Sequence, residues 1–169
     1  AKGGALEAIY EARDQKITRA IGITCHADPR ALQTALSRHD FDCTQMALNA
    51  GLASITEAMK IKPAGPACFE RLALPVARRK QMGVIAMKVF GQEQLVGAAT
   101  PEQLLAYALS LPVSLASVGM PGLALIERNA ELARDFSPLG RGERERLTNS
   151  IAAGRKEAMR RFFRDHKDV

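Results

Sequence analysis

Short apolar runs that stop abruptly at polar side chains recur along this chain, and a helical stripe follows each one. In KITRAIGITCH (16–26), the run Ala20-Ile21-Gly22-Ile23 ends at Thr24, Cys25 and His26. A continuous run, rather than an alternating one, predicts a strand buried on both faces. Groups just past its C-terminal end lie where parallel α/β sheets and barrels expose their chemistry. Asp28-Pro29 reads as an N-cap with proline at the first helical position. The helix it opens buries Ala31, Leu32, Ala35 and Leu36 and closes near His39-Asp40. A second strand is predicted from 41 or 42 to 48 in FDCTQMALNA, a third over 83–87 followed by Lys88, and a fourth over 113–118 behind Pro112. Residues 51–66 are predicted as a long loop with one helical turn around 55–59. The block 69–80 turns Phe69, Leu72, Val76 and Ala77 inward, and Pro75 should kink or restart it. Thr100-Pro101-Glu102-Gln103 is a capping box opening a helix with Leu104, Leu105, Ala108 and Leu109 on its core face. Gly119-Met120-Pro121-Gly122 is a tight turn into a helix over 123–134. Helices are also predicted over 5–12, with Leu6, Ala8, Ile9 and Ala12 in its stripe, and over 141–163, with Leu147, Ile151, Met159, Phe162 and Phe163.

Strict alternation of four strands with helices means parallel strands joined by right-handed crossovers. Four β/α units make half of an eight-fold barrel or the core of a small doubly wound sheet, and periodicity does not choose between them. At 169 residues and 47% apolar the chain is one domain or a piece of one. No apolar run approaches the roughly 18–20 residues of a membrane span. No secretory signal is expected. The first residue is Ala1 rather than methionine, so an N-terminal truncation is expected.

The net charge of +6 raises the question of nucleic acid. Much of the excess lies within 141–167, mixed with Glu143, Glu145, Glu157 and Asp165, as on a solvated helix face. Two tyrosines and no tryptophan leave little for bases to stack on. Neither nucleic acid nor membrane is expected as a partner; the phosphates of a small anionic cofactor are. Cys25, Cys43 and Cys68 lack metal-ligand spacing and read as reduced structural thiols, so no metal site is expected.

Three positions carry candidate chemistry. Gln45 sits in an apolar run, so its amide is either satisfied by neighbouring backbone or aimed at a ligand. Lys88 at a buried strand end either snorkels at the rim or meets an anion. The turn at 119–122 lets a backbone approach a bound group, and the helix N-terminus after it offers N–H donors to phosphate. It matches neither the dinucleotide glycine fingerprint nor the P-loop.

Taken in order, KITRAIGITCH, FDCTQMALNA, MGVIAMKVFG and LPVSLASVGM…LIERNAELA resemble the aldo-keto reductases over essentially the whole chain, most closely a bacterial branch whose first such segment reads close to IGITGH. The resemblance implies a (β/α)8 barrel that reduces carbonyls with NADPH, less often NADH, bound across its C-terminal face. This chain would supply strands five to eight: a half barrel of about four parallel strands over 1–139, and a C-terminal helical extension over 140–169. Thr24 and Cys25 then fall where the family has serine and asparagine on the nicotinamide carboxamide, and Gln45 matches a glutamine on the same group. Met87 stands where many members stack a tyrosine on the nicotinamide ring, and Lys88 where the pyrophosphate passes. Gly119 and Met120 correspond to the turn near the adenosine phosphate, and Asn129 to an adenine contact. Leu125 replaces an arginine used for the 2′-phosphate, with Arg128 nearby as a substitute. His26 has two readings, a ring facing the pocket or a structural one. No cysteine lies beyond Cys68, so the iron–sulfur extension of some branch members is not expected here.

The family's catalytic tetrad (aspartate, tyrosine, lysine, histidine) would lie upstream of Ala1, and neither Tyr10 nor Tyr107 is placed to replace its tyrosine. The resemblance therefore implies a cytoplasmic oxidoreductase on aldehydes or ketones whose cofactor-binding half is inactive alone. The alternative is a non-catalytic half barrel that self-associates into a homodimer through its exposed strand edges.

Overall fold

The computed structural model describes residues 3–165 except Glu57, Met59 and Ala64, with side chains up to Gly154 except that of Pro63. Four strands, β1 (Gly22–Cys25), β2 (Cys43–Ala47), β5 (Gly83–Met87) and β6 (Leu115–Ala116), form one sheet in the order β1-β2-β5-β6. All three pairings are parallel. Helices α2 (Pro29–Arg38), α3 (Phe69–Leu72), α4 (Leu74–Arg79) and α5 (Pro101–Leu109) connect them, while α1 (Ala5–Asp14) precedes β1 and α6 (Leu123–Arg134) follows β6. The last element, α7 (Arg141–Asp165), buries Ile151 against the body. Met159, Phe162 and Phe163 lie outside the described side chains.

Helix starts follow local chemistry. The Asp28 carboxylate accepts from the Arg30 and Ala31 amides at 2.9 and 3.1 Å. Thr100 and Gln103 form the reciprocal capping box. Ala73 separates α3 from α4, and Pro75 sits in the first turn of the restarted helix, where its missing N–H costs nothing.

The register shows which face of the sheet is covered. Ile23, Thr44 and Val84 form one cross-strand row, and Cys25, Met46, Ala86 and Ala116 another; both point into the helix layer, and Thr44, Met46, Val84 and Ala86 are buried. Between them runs the row Thr24, Gln45, Ile85 and Leu115, which is half-exposed or exposed throughout. The expectation of strands buried on both faces is thus corrected: one face is open. β1 is also shorter and later than its apolar run. Ala20 is exposed, while Thr24 and Cys25 lie inside the strand. The fourth strand is shorter than expected, two residues at the edge of the sheet beside β5.

The predicted loop at 51–66 is a second correction. β3 (Ala53–Ile55) and β4 (Ile61–Pro63) form an antiparallel hairpin, followed by a 3-10 turn at Gly65–Ala67. Its base is clamped by buried Asn49, whose amide donates to the Ala53 carbonyl at 2.9 Å and accepts from the Ala53 N–H at 3.1 Å.

At the N-terminal end of the strands Asp42 ties three elements together. Its carboxylate accepts from the Ile21 amide at 2.8 Å and from Arg13 of α1 at 3.3 Å. The Ile21 N–H, with help from Arg13 and against partial desolvation, holds this carboxyl below the usual carboxylate range. A depressed carboxyl stabilises the fold above its unfolded pKa of about 3.9, and that contribution disappears as pH falls through the folded value. Urea midpoints measured from roughly pH 5 down to pH 3 should therefore fall more steeply for the wild type than for Asp42→Asn, which keeps an acceptor for Ile21 but does not titrate. Equal slopes would refute this assignment.

Candidate functional site

At the C-terminal ends of β2, β5 and β6 lies a cleft of about 370 Å³ lined by Gln45, Met87, Lys88, Val89, Phe90, Gln92, Glu93, Ser117, Val118 and Gly119. Each strand contributes from the same end because the sheet is parallel and in register. Gln45 rises from the open face of β2, beside Thr24 of β1 in the same row. Met87 closes β5. Ser117 is held level with them by its amide, which donates to the Ala86 carbonyl at 2.7 Å.

Lys88 is where the backbone leaves the sheet. Its φ of +58° is left-handed, an uncommon conformation for a residue with a side chain, and it begins a tight turn closed by the Gly91 amide on the Lys88 carbonyl at 2.8 Å. The turn buries Val89 and leaves Phe90 half-buried in the cleft wall. Gly91, Gln92 and Glu93 continue in the left-handed region at φ +57°, +55° and +64°. The hairpin buttresses this segment: the Ile61 N–H donates to the Gln94 side chain at 3.3 Å, and the Ile61 side chain abuts Gly91.

The structure brings Gln45, Met87, Lys88 and Gly119 into one cleft, with Thr24 adjacent on the open face. Cys25 is not with them. By strand alternation it points into the helix layer, its thiol 3.4 Å from the Asp28 carbonyl. Met120 is exposed just beyond the cleft. Arg128 and Asn129 lie on α6 and do not line it: Arg128 is hydrogen-bonded and ion-paired to Glu102 of α5, and Asn129 is buried. Glu102 is held below its usual range by its own backbone N–H, then by Thr100 and Arg128. His26 takes the structural role. Its Nδ1 lies 3.1 Å from the Ile55 carbonyl, and its carbonyl accepts from the Ile55 amide at 2.7 Å, anchoring the hairpin to the end of β1.

Phe90, Glu93, Ser117 and Val118 were not singled out from the sequence. Their signal is faint: a glycine bracketing a loop after Lys88, and a serine past a two-residue strand. Among the described residues no cluster of three or more histidine, cysteine or acidic side chains is arranged to hold a metal. No described helix is long and apolar enough to cross a membrane.

The polar side chains of the cleft are two amides, Gln45 and Gln92, one cation, Lys88, and one hydroxyl, Ser117, around the apolar groups Met87, Phe90 and Val118. Glu93 is the opposing charge. Both tyrosines are engaged elsewhere. The Tyr10 hydroxyl accepts from the Asp40 amide at 2.9 Å, and Tyr107 donates to Glu70 at 2.7 Å. Burial, then the Glu70 charge, pushes the Tyr107 hydroxyl well above its ordinary range.

No family model matches the sequence, and neither does any curated protein. Solved structures do match. The aldo-keto reductase AKR11C1 from Bacillus halodurans superposes with a TM-score of 0.62 in its holo form, at 14% identity over 86% of this chain and 54% of that one. Its apo form gives 0.61 at 15% identity, covering 86% and 55%. The thermostable aldo-keto reductase Tm1743, in complex with the inhibitor epalrestat, gives 0.58 at 20% identity, covering 86% and 53%. The chain has the fold of part of an aldo-keto reductase barrel. It spans just over half the length of each of these structures, so its four parallel strands are a partial (β/α)8 barrel and the open row from Thr24 to Leu115 is the inner wall of the barrel.

Proposed function

We propose that this chain is the C-terminal, cofactor-binding half of an aldo-keto reductase of the bacterial branch, residues 1–139 being barrel and 140–169 an appended helical extension. The complete protein would be a cytoplasmic NAD(P)H-dependent reductase of aldehydes or ketones. The observation that carries this reading is the meeting of Gln45, Met87, Lys88 and Gly119 in one cleft at the C-terminal end of the parallel strands, the end where such folds bind ligands. The bound dinucleotide would supply the hydride. Gln45, with the Thr24 hydroxyl beside it, orients the carboxamide; Met87 packs under the ring; Lys88 neutralises phosphate charge at the rim. Cys25 faces away and is left out of this role.

Both tyrosine hydroxyls are committed outside the cleft, so the proton donor is assigned to an upstream tetrad and the chain alone is inactive. With Arg128 engaged by Glu102 and Leu125 apolar, α6 offers the 2′-phosphate no dedicated cation. NADH and NADPH are expected to bind within about tenfold of each other, about 1.4 kcal/mol.

The test joins the chain to an upstream half carrying the tetrad and follows NAD(P)H oxidation over a panel of aldehydes, alongside fluorescence titration with NADH and NADPH. Gln45→Leu should weaken dinucleotide binding about tenfold without altering the unfolding midpoint by more than a small fraction. A completed barrel that neither binds nor oxidises either cofactor refutes the proposal.

A further inference from the structure

A second cleft opens between α3, α5 and the first turns of α7, and it shares no lining residue with the cleft at the strand ends. Its volume is about 490 Å³, within the roughly 300–1,000 Å³ of small-molecule sites. Apart from Leu52, every side chain that lines it is charged or polar. What it takes is therefore decided by charge.

The floor of this cleft is fixed in advance. The Tyr107 hydroxyl, on a side chain only 2% exposed, donates to Glu70 Oε2 at 2.7 Å, and its oxygen accepts from Thr148 of α7. One oxygen of the Glu70 carboxylate is thus held by a neutral donor, and the other faces the cleft without a partner among the described residues. Arg144 is also held by neutral groups. Its Nη1 donates to the Leu139 and Ser110 carbonyls at 2.8 and 3.3 Å, which fixes the guanidinium and leaves its charge uncompensated. Arg71 follows Glu70 on α3 and is exposed. Arg141 differs, because it is paired with Glu145 at 2.8 Å on the rim.

Among the described residues, Glu70, Arg71 and Arg144 belong to no ion pair. Two cations and one anion line one cleft without neutralising each other, and Glu70 and Arg144 are half-buried. Charges withdrawn from water are costly until they are paired, and a guanidinium is best paired by the two oxygens of a carboxylate. The complement of two guanidiniums and one carboxylate is a molecule with two carboxylates and one ammonium. A plain dianion meets Glu70 with like charge, and a neutral ligand leaves all three groups unpaired.

We propose that this cleft binds an acidic α-amino acid, with its two carboxylates on Arg71 and Arg144 and its ammonium on the free oxygen of Glu70. The ligand ties α7 to α3 and α5, so binding reads out as stability. The site stands apart from the dinucleotide reading, and either can fail without the other.

The experiment is calorimetric titration and thermal unfolding of the full chain with L-glutamate and L-aspartate. Glutarate (the same dicarboxylate without the ammonium), L-glutamine and inorganic phosphate are the comparison ligands. One of the acidic amino acids should bind saturably at millimolar concentration or below and raise the melting temperature. Glutarate and L-glutamine should each bind at least about tenfold more weakly. Glu70→Gln keeps an acceptor for Tyr107 and removes the charge. It should cost the acidic amino acid about tenfold in affinity while glutarate binds at least as well as before. Arg71→Gln changes an exposed side chain, so it should weaken the amino acid and glutarate alike and leave the unliganded melting temperature in place. Should Glu70→Gln unfold, the ligand series on the wild type and Arg71→Gln decide. Absence of binding by both acidic amino acids overturns the proposal. So does equal binding of glutarate or phosphate, which would make the cleft an unselective anion patch.

Discussion

Asn49→Ala should lower the free energy of unfolding by about 3 kcal/mol, within a range of about 2–4. The side chain is 2% exposed, and both of its bonds go to one residue, Ala53, itself 2% exposed. Removing the amide strands a buried N–H and a buried carbonyl together, and each costs roughly 1–3 kcal/mol when unpaired. The hairpin cannot repair the loss. Both backbone groups of Ala53 point toward Asn49 and away from β4, so the partner strand cannot supply a replacement. Denaturant unfolding gives the size of the effect, and hydrogen exchange at the Ala53 amide gives its location. Protection at Ala53 should drop ahead of the sheet strands. A loss below 1 kcal/mol with unchanged exchange would mean that water replaces the clamp and that the hairpin is not held as described.

Asn49 also shows where sequence reading stopped. Both capping motifs, at Asp28 and at Thr100, were legible because every partner lies within three residues. The parallel pairing followed from alternation, since a strand–helix–strand crossover within one sheet joins parallel strands. The hairpin was not legible. Ala53–Ile55 and Ile61–Pro63 are three-residue strands, too short for a periodic signal. Their stability comes from distant partners: Asn49 at the base, His26 at Ile55, and Gln94 at Ile61.

The open inner face was hidden for a related reason. Gln45 was read as a polar residue inside a buried strand, and Thr24 as a group just past a strand's end. They are instead half of a cross-strand row that faces an uncovered barrel wall. A polar residue within an apolar run looks the same in sequence whether its strand is buried twice or once. Register resolves this, and register depends on the neighbouring strand. The same parity moves Cys25 away from Thr24: adjacent residues on a strand cannot serve one pocket from the same face. Side-chain direction, rather than residue identity, is what separates the cleft residues from the rest of the predicted set.

Gly91→Ala should cost about 3 kcal/mol and should disturb the cleft as well as the fold. Two effects add. At φ +57° any Cβ carries left-handed strain of roughly 1–2 kcal/mol. The new methyl would also stand 2.6 Å from the Ile61 Cδ1 and 2.8 Å from the Leu95 Cγ. Ile61 can swing its terminal carbon aside, but Leu95 is 0% exposed and has nowhere to go. Gly97→Ala is the control, since its φ is +95° with no atom within 4 Å, so it meets strain without crowding. It should lose about 1–2 kcal/mol, and the difference between the two variants measures the packing. Ile61→Val in the Gly91→Ala background should recover less than half of that difference, because the Leu95 clash remains. Gly91 also closes the turn that begins at Lys88 and carries Phe90, so pushing it outward moves the rim cation relative to Gln45. Dinucleotide affinity should therefore fall in Gly91→Ala and hold in Gly97→Ala. Equal losses of stability in the two glycine variants would show that the hairpin does not brace this turn, and the link from β4 through Gly91 to Lys88 would be broken.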